Sequence, residues 1–210
     1  MKKDEMKEAL REILSEREFV EILNRVEAAL YWPRLKRVPK RDLHNVMWER
    51  AIEQSADFVE KNITTAVIFK DKLQIWDYAV RNLNEHFLNG VCLEFGVAVG
   101  TSVNWFSSSL PEFSFIGFDS FIGLKEDWVG HHALKGDYSQ TGILPDVNSN
   151  VRLVPGWFDQ TISKYIQDNV RDLNNLRFVH IDGDTYEAAV AVFDALGSYL
   201  KPGMLSLIHI

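Results

Sequence analysis

The sequence predicts an α/β fold, a doubly wound and mainly parallel sheet with a helical extension at its N-terminus. Three observations carry that expectation. From Val91 onward the short apolar runs VCLEF, FSFIGFDSF, VRLVPGWF and LRFVHID alternate with segments able to form helices. Those runs are nearly continuous rather than alternating, which suits strands buried on both faces. Each run ends in a polar or glycine-bearing turn, at the carboxyl edge where such sheets bind ligands.

The elements follow in order. Residues 1–88 read as a helical extension or cover, and 89–210 as the sheet domain. Between Lys3 and Leu30, Met6, Leu10, Ile13 and Leu14 recur at three- and four-residue spacing, with Glu, Lys and Arg on the opposite face. Pro33 ends that pattern, and the following LKRVPKR reads as a solvated connector. A second helix is expected over about residues 41–61. A third starts after Asp71, placed to cap Gln74 three residues on, and runs through Trp76, Ala79, Val80 and Leu83 to a stop at Asn89-Gly90. In the sheet domain, helices are expected over about 100–110, 159–170 and 186–200.

Bulk properties narrow the classes. With 210 residues, 46% of them hydrophobic, the chain has material for one sizeable core. A formal charge of -7 argues against a nucleic-acid-coating surface, which needs clustered Lys and Arg. Cys92 is the only cysteine, so no disulfide forms within the chain, and a reducing cytoplasmic home is expected. MKKDEMKEALREIL carries acids where a signal peptide needs an apolar stretch, and no run approaches a membrane-spanning length. Neither a membrane nor a nucleic acid is an expected partner.

The first turn is Glu94-Phe95-Gly96-Val-Ala-Val-Gly100, followed by Thr101-Ser102 at a helix start. Glycine permits positive φ and close approach of a ligand to the backbone. Free N–H groups at a helix start favour a negative group. A dinucleotide site spaces its glycines G-x-G-x-x-G around a pyrophosphate. This loop has G-x-x-x-G preceded by an acid, which better suits a ligand carrying one carboxylate and one ammonium. S-adenosylmethionine carries that pair. A tight strand-to-helix connection without a ligand is the alternative.

The later turns add to this. Asp119 ends the second run, where an acid can accept hydrogen bonds from both hydroxyls of a ribose, although NAD would use it equally. Pro155-Gly156 then presents Trp157 and Phe158, aromatics able to stack on a base or to fill the core. In LRFVHIDGDTYEAAV, Phe178, His180 and Asp182 share one strand face. Asp182 and Asp184 flank Gly183; such carboxylates suit Mg2+ or general-base work, with Asp184 and Thr185 read as helix-capping residues. His180 reads as a packed residue behind the site, and His131-His132 as a surface pair.

These motifs, with Glu126-Asp127-Trp128, Ser55–Phe69 and Trp76-Asp-Tyr-Ala79, resemble the class I S-adenosylmethionine-dependent methyltransferases related to macrocin O-methyltransferase, a Rossmann-like group. The resemblance runs from about residue 50 to the end. It implies that Glu94 to Ser102, including Phe95, Gly96, Gly100 and Thr101, hold the methionine moiety. Asp119 would hold the ribose, and Ser120, Gly156, Trp157 and Phe158 would border the adenine. Asp182 matches the position that binds Mg2+ beside the acceptor hydroxyl and is the expected catalytic residue. The implied reaction is O-methylation of a sugar or natural-product-like small molecule.

One departure stands out. Two further metal-binding acids are implied at positions 209 and 210, where this chain has His209 and Ile210. LSLIHI at the terminus resembles translated sequencing-adapter sequence, so the expectation is a truncated reading frame with the last two of seven strands missing. An NAD-dependent oxidoreductase and a non-catalytic nucleoside-binding protein are the rival readings. The helical N-terminus is an expected homodimer surface.

Overall fold

The computed structural model describes residues 42–209. The segment between Lys3 and Leu30 and the connector LKRVPKR lie outside the described residues. The chain divides into two compact units, Met1–Ile68 and Phe69–Ile210.

In the first unit, α1 spans Leu43–Asn62. The Asp42 carboxylate opens it by accepting from the Asn45 N–H at 2.8 Å, and Lys61 sits in the last turn, favourable to the helix dipole. No residue of α1 is buried: Leu43, Met47, Trp48, Ile52 and Phe58 are all exposed.

The second unit begins with α2, Lys72–His86, capped as the sequence predicts by Asp71 accepting from the Gln74 N–H at 3.0 Å. It ends earlier than Asn89-Gly90, because Phe87 turns extended and Gly90 already opens a strand. The sheet strands are β1 (Gly90–Phe95), β2 (Phe113–Asp119), β3 (Val151–Pro155), β4 (Leu176–Ile181) and β5 (Leu205–Ile208). Between them run α3 (Thr101–Ser109), α4 (Phe158–Asp168), α5 (Val170–Asn174) and α6 (Tyr186–Leu196). Thr185 caps α6 by accepting from the Ala188 N–H at 3.3 Å.

All strand pairs are parallel, in the order β3-β2-β1-β4-β5. The expected doubly wound sheet is therefore present, with five strands among the described residues. The chain winds outward from β1 through β2 to β3, then returns to β4 on the other side. This places the topological switch point between β1 and β4, where open α/β sheets bind their ligands.

The period-two alternation of each strand feeds two cores. Val91, Leu93 and Phe95 of β1 meet Ile116, Phe118, Val179 and Ile181 beneath α4, α5 and α6. Cys92, Phe113, Phe115 and Phe178 face the other way, against α2 and α3. Phe95 stacks on Phe118 at 4.8 Å between centroids. Burying each such ring contributes about 1.5–3 kcal/mol.

The chain passes from the first compact unit to the second at Ile68/Phe69. Trp76, Ala79 and Leu83 of α2 are buried within the second core, so α2 is a sheet-covering helix.

Candidate functional site

A cavity of about 700 Å³ opens over the carboxyl edge of the sheet. Its walls come from every turn that the sequence singles out. The first turn contributes Gly96, Thr101 and Ser102, the second Asp119 and Ser120, the third Trp157 and Phe158, and the fourth Asp182. The volume is within the range of small-molecule and cofactor pockets. Glu94, Phe95, Gly100 and Gly156 are not part of its wall.

The edge is laced together by main-chain hydrogen bonds: Gly96 N–H donates to Phe118 O, Asp182 N–H to Phe95 O, and Gly156 N–H to Asp119 O, at 2.7–2.9 Å. Gly96 has φ +97, and a Cβ there would stand 1.9 Å from the Asp182 carbonyl oxygen. Its lack of a side chain is thus spent on the contact between the first and fourth turns, not on ligand approach.

Asp119 binds the glycine loop itself. Its Oδ2 accepts from the Val97 and Ala98 N–H groups, both at 2.8 Å, and its Oδ1 accepts from Phe121 N–H at 2.7 Å. A carboxylate has about four lone-pair sites, so about one remains for a ligand hydroxyl, not the two that a ribose diol would bring. Ser120 Oγ donates to Gly123 O at 3.0 Å, closing the turn beside it.

Glu94 does not face the cavity. It is buried, its Oε1 accepts from Ser102 Oγ at 2.8 Å, and its Oε2 pairs with His180 Nδ1 at 2.9 Å. Glu94 and His180 are register partners across β1 and β4, on the face shared with Cys92 and Phe178. The carboxylate therefore ties the start of α3 to two central strands. Phe95 belongs to the core, and Gly100, at φ +83, is the N-cap of α3 with its Cα face against Asn104 and Pro145.

Around the cavity the charge is mostly negative. Asp119, Glu126, Asp159, Asp182, Asp184 and Glu187 line it, against Lys72, Lys125 and His209. Lys125 Nζ is drawn to Asp159 at 2.7 Å, and Glu126 accepts from Thr185 Oγ1 at 3.0 Å. Asp184, expected as a capping residue, instead stands in the wall at φ 65. Desolvation, then the neighbouring Asp182 and Asp119 carboxylates, push its pKa up to about 6. Burial, reinforced by Glu94, holds the Cys92 thiol well above its ordinary range, so it is inert. His131 and His132 are exposed, stacked with Trp128 outside the cavity wall.

Sequence reasoning missed Asp184, Glu126, Glu187, Lys72 and Trp76 as cavity residues. Only Asp184 had a local signal, its place two residues beyond Asp182; the others arrive from helices and a long connection.

Among the described residues, one group could gather around a metal ion: His180, Asp182 and His209, with ligand atoms within 4.8 Å of one another. Mg2+ takes oxygen ligands in octahedral geometry. One carboxylate and two imidazoles do not fit it.

The family described as a methyltransferase domain matches residues 93–209, more than half of the chain, and this chain belongs to that family. The rival oxidoreductase and non-catalytic readings are not favoured by that membership. No curated protein sequence matches the chain. Among solved structures, the chain is similar to apo CalS11, a TDP-rhamnose 3'-O-methyltransferase of calicheamicin biosynthesis. That match has 20% identity and a TM-score of 0.47, covering 96% of this chain and 82% of the other. It is also similar to MycE methyltransferase of the mycinamycin pathway, in complex with Mg and SAH. There the identity is 18% and the TM-score 0.38, over 83% of this chain and 45% of MycE. A further MycE complex, with Mg, SAH and mycinamycin VI, matches at 18% identity and a TM-score of 0.40, over 76% of this chain and 42% of that one. The chain thus spans less than half the length of MycE.

Proposed function

We propose that this chain transfers the methyl group of S-adenosylmethionine to a hydroxyl oxygen on a small acceptor of sugar or natural-product type. The supporting observation is convergence: four turns separated by up to some ninety residues share one cavity at the switch point, and the chain carries the methyltransferase domain. The acceptor class rests on the motif resemblance to macrocin-type enzymes.

In this reading the N–H groups at the start of α3 and the Gly96–Ser102 loop hold the amino-acid end of the cofactor. Asp119 accepts one ribose hydroxyl on its remaining lone pair. Trp157 and Phe158 flank the base, with Ser120 beside them. When bound, the cofactor supplies an electrophilic methyl carbon on a positively charged sulfur. With the cofactor bound, the cavity walls would align the acceptor oxygen with that carbon, and alignment of this kind can supply most of the rate. Asp182 would take the hydroxyl proton as the methyl group passes from sulfur to oxygen. The donors beside Asp182 do not fit Mg2+, so this carboxylate is assigned the proton without a metal. The buried Cys92 thiol fits a reducing, cytoplasmic setting.

Calorimetry with S-adenosylhomocysteine, with and without Mg2+, tests the reading. One-to-one binding that is indifferent to Mg2+ is expected. Absence of binding, together with a rise in melting temperature on adding NADH, would replace it with the oxidoreductase reading.

A further inference from the structure

His180 is wholly buried on β4, and only one of its ring nitrogens is used. Nδ1 lies 2.9 Å from Glu94 Oε2. An ionised carboxylate only accepts, so this nitrogen carries the proton of the neutral ring and Nε2 presents a lone pair. That Nε2 is buried and has no hydrogen-bond partner among the described residues. A buried polar atom left unpaired is uncommon and costly. Asp182 follows two residues on, along the same strand face. His209 arrives from the segment after β5, where its N–H donates to Ile181 O at 3.0 Å. Its Nδ1 stands 3.6 Å from Asp182 Oδ1, too long for a hydrogen bond, and its ring centre is 5.0 Å from that of His180. Ligand atoms of the three side chains converge within 4.8 Å of one another, and with Nδ1 engaged by Glu94, Nε2 is the nitrogen that His180 has left for that group.

We propose that His180 Nε2, the Asp182 carboxylate and the His209 imidazole form a binding site for a divalent cation of the zinc class. Imidazole and carboxylate together suit Zn2+ or Co2+ rather than Mg2+, whose ligands are oxygens. The site therefore departs from the oxygen-only Mg2+ set that the motif resemblance implies with acids at 209 and 210. In a four-coordinate zinc site, two ligands at about 2.0–2.1 Å from the ion stand about 3.3–3.4 Å apart. The 3.6 Å between His209 and Asp182 is close to that spacing. Glu94 supports the arrangement, because a carboxylate on the far nitrogen of a metal-binding imidazole fixes its tautomer and raises its basicity. Asp182 and His209 both keep part of their surface exposed and line the cavity, which gives the ion a route in and leaves its fourth position to water. An ion there occupies the carboxylate to which the proposed reaction assigns a proton, so zinc loading opposes turnover. Binding of the ion itself stands apart from the cofactor reading.

Calorimetry with Zn2+ on the metal-free wild-type chain should show one equivalent bound, undisturbed by excess Mg2+. His209→Ala should weaken that binding by about a hundredfold or more, since losing even an outer partner of a ligand costs about 10–100-fold. His209 is exposed, so its replacement leaves the core intact. Replacing the exposed, stacked His131 and His132 together by alanine should leave Zn2+ affinity unchanged. Proton–nitrogen correlation spectra of the wild-type histidine rings should show Zn2+ shifting the Nε2 signal of His180 while its Nδ1 stays protonated. Unchanged affinity in His209→Ala, loss of binding on replacing His131 and His132, or a His180 signal indifferent to Zn2+ would overturn the site. Failure of the wild-type chain to bind Zn2+ would overturn it as well, and would leave the cofactor reading, which S-adenosylhomocysteine tests, untouched.

Discussion

Replacing Glu94 by glutamine separates two roles for that residue, ligand contact and internal brace. The carboxylate is 2% exposed and receives Ser102 Oγ and His180 Nδ1 on different oxygens, at 2.8 and 2.9 Å. Glutamine can keep both contacts, its oxygen accepting from His180 Nδ1 and its amide N–H donating to Ser102 Oγ, but both become bonds between neutral groups, worth about 0.5–1.5 kcal/mol each. A hydrogen bond to a charged group is worth about 1.5–3 kcal/mol, which sets the expected destabilisation at about 2 kcal/mol. For a chain of this size that is a fall of about 4–8 °C in melting temperature. Thermal unfolding measures the fall, and calorimetry with S-adenosylhomocysteine on the folded variant should show an affinity within about threefold of wild type, an energy below 1 kcal/mol. A variant of undiminished thermal stability that no longer binds S-adenosylhomocysteine would refute the brace and restore Glu94 to the ligand.

Three further outcomes follow from the site. Asp182→Asn should abolish methyl transfer while leaving affinity for S-adenosylhomocysteine nearly unchanged, read by a turnover assay beside calorimetry. Gly96→Ala should be severe, because both its φ of +97 and the 1.9 Å approach to Asp182 O forbid a Cβ; loss of more than about 3 kcal/mol by denaturant titration is expected. Asp184 is an acid whose folded pKa is raised, from 3.8 to about 6, so the folded state holds its proton longer than the unfolded one. Stability should therefore fall as pH rises between those values, by about 1–2 kcal/mol after discounting for its partial exposure. Melting curves of wild type and Asp184→Asn should agree near pH 4 and separate by pH 7, with the variant the more stable.

Much of the fold was legible because its signals are local. The apolar runs of β1, β2 and β4 need no partner to declare themselves, and the caps at Asp71 and Thr185 act within three residues. The doubly wound class was also accessible, since parallel strands joined by helices leave few alternatives. The positions of Asp119, Trp157 and Asp182 at the cavity followed from that topology. What Glu94 does was harder to see. It reads as part of a ligand loop, yet period two puts it on the face of Cys92, and its partner His180 is 86 residues away in sequence. The place of α2 was hard to read for a related reason: a change of composition after residue 88 marks the start of strands, while packing decides which helices cover them. Lys72 and Trp76 reach the cavity only through that packing.

On the proposed function, the grip of Asp119 on the Val97 and Ala98 amides means that the loop meant for the cofactor is assembled before anything arrives. A loop already fastened forfeits little disorder when occupied, so affinity is not spent on arranging it. The same fastening confounds a common experiment: an alanine at position 119 would loosen the cradle as well as remove the proposed contact with a sugar. Its measured loss of affinity would therefore exceed what the ribose contact contributes, and only a ligand without ribose hydroxyls would divide the two.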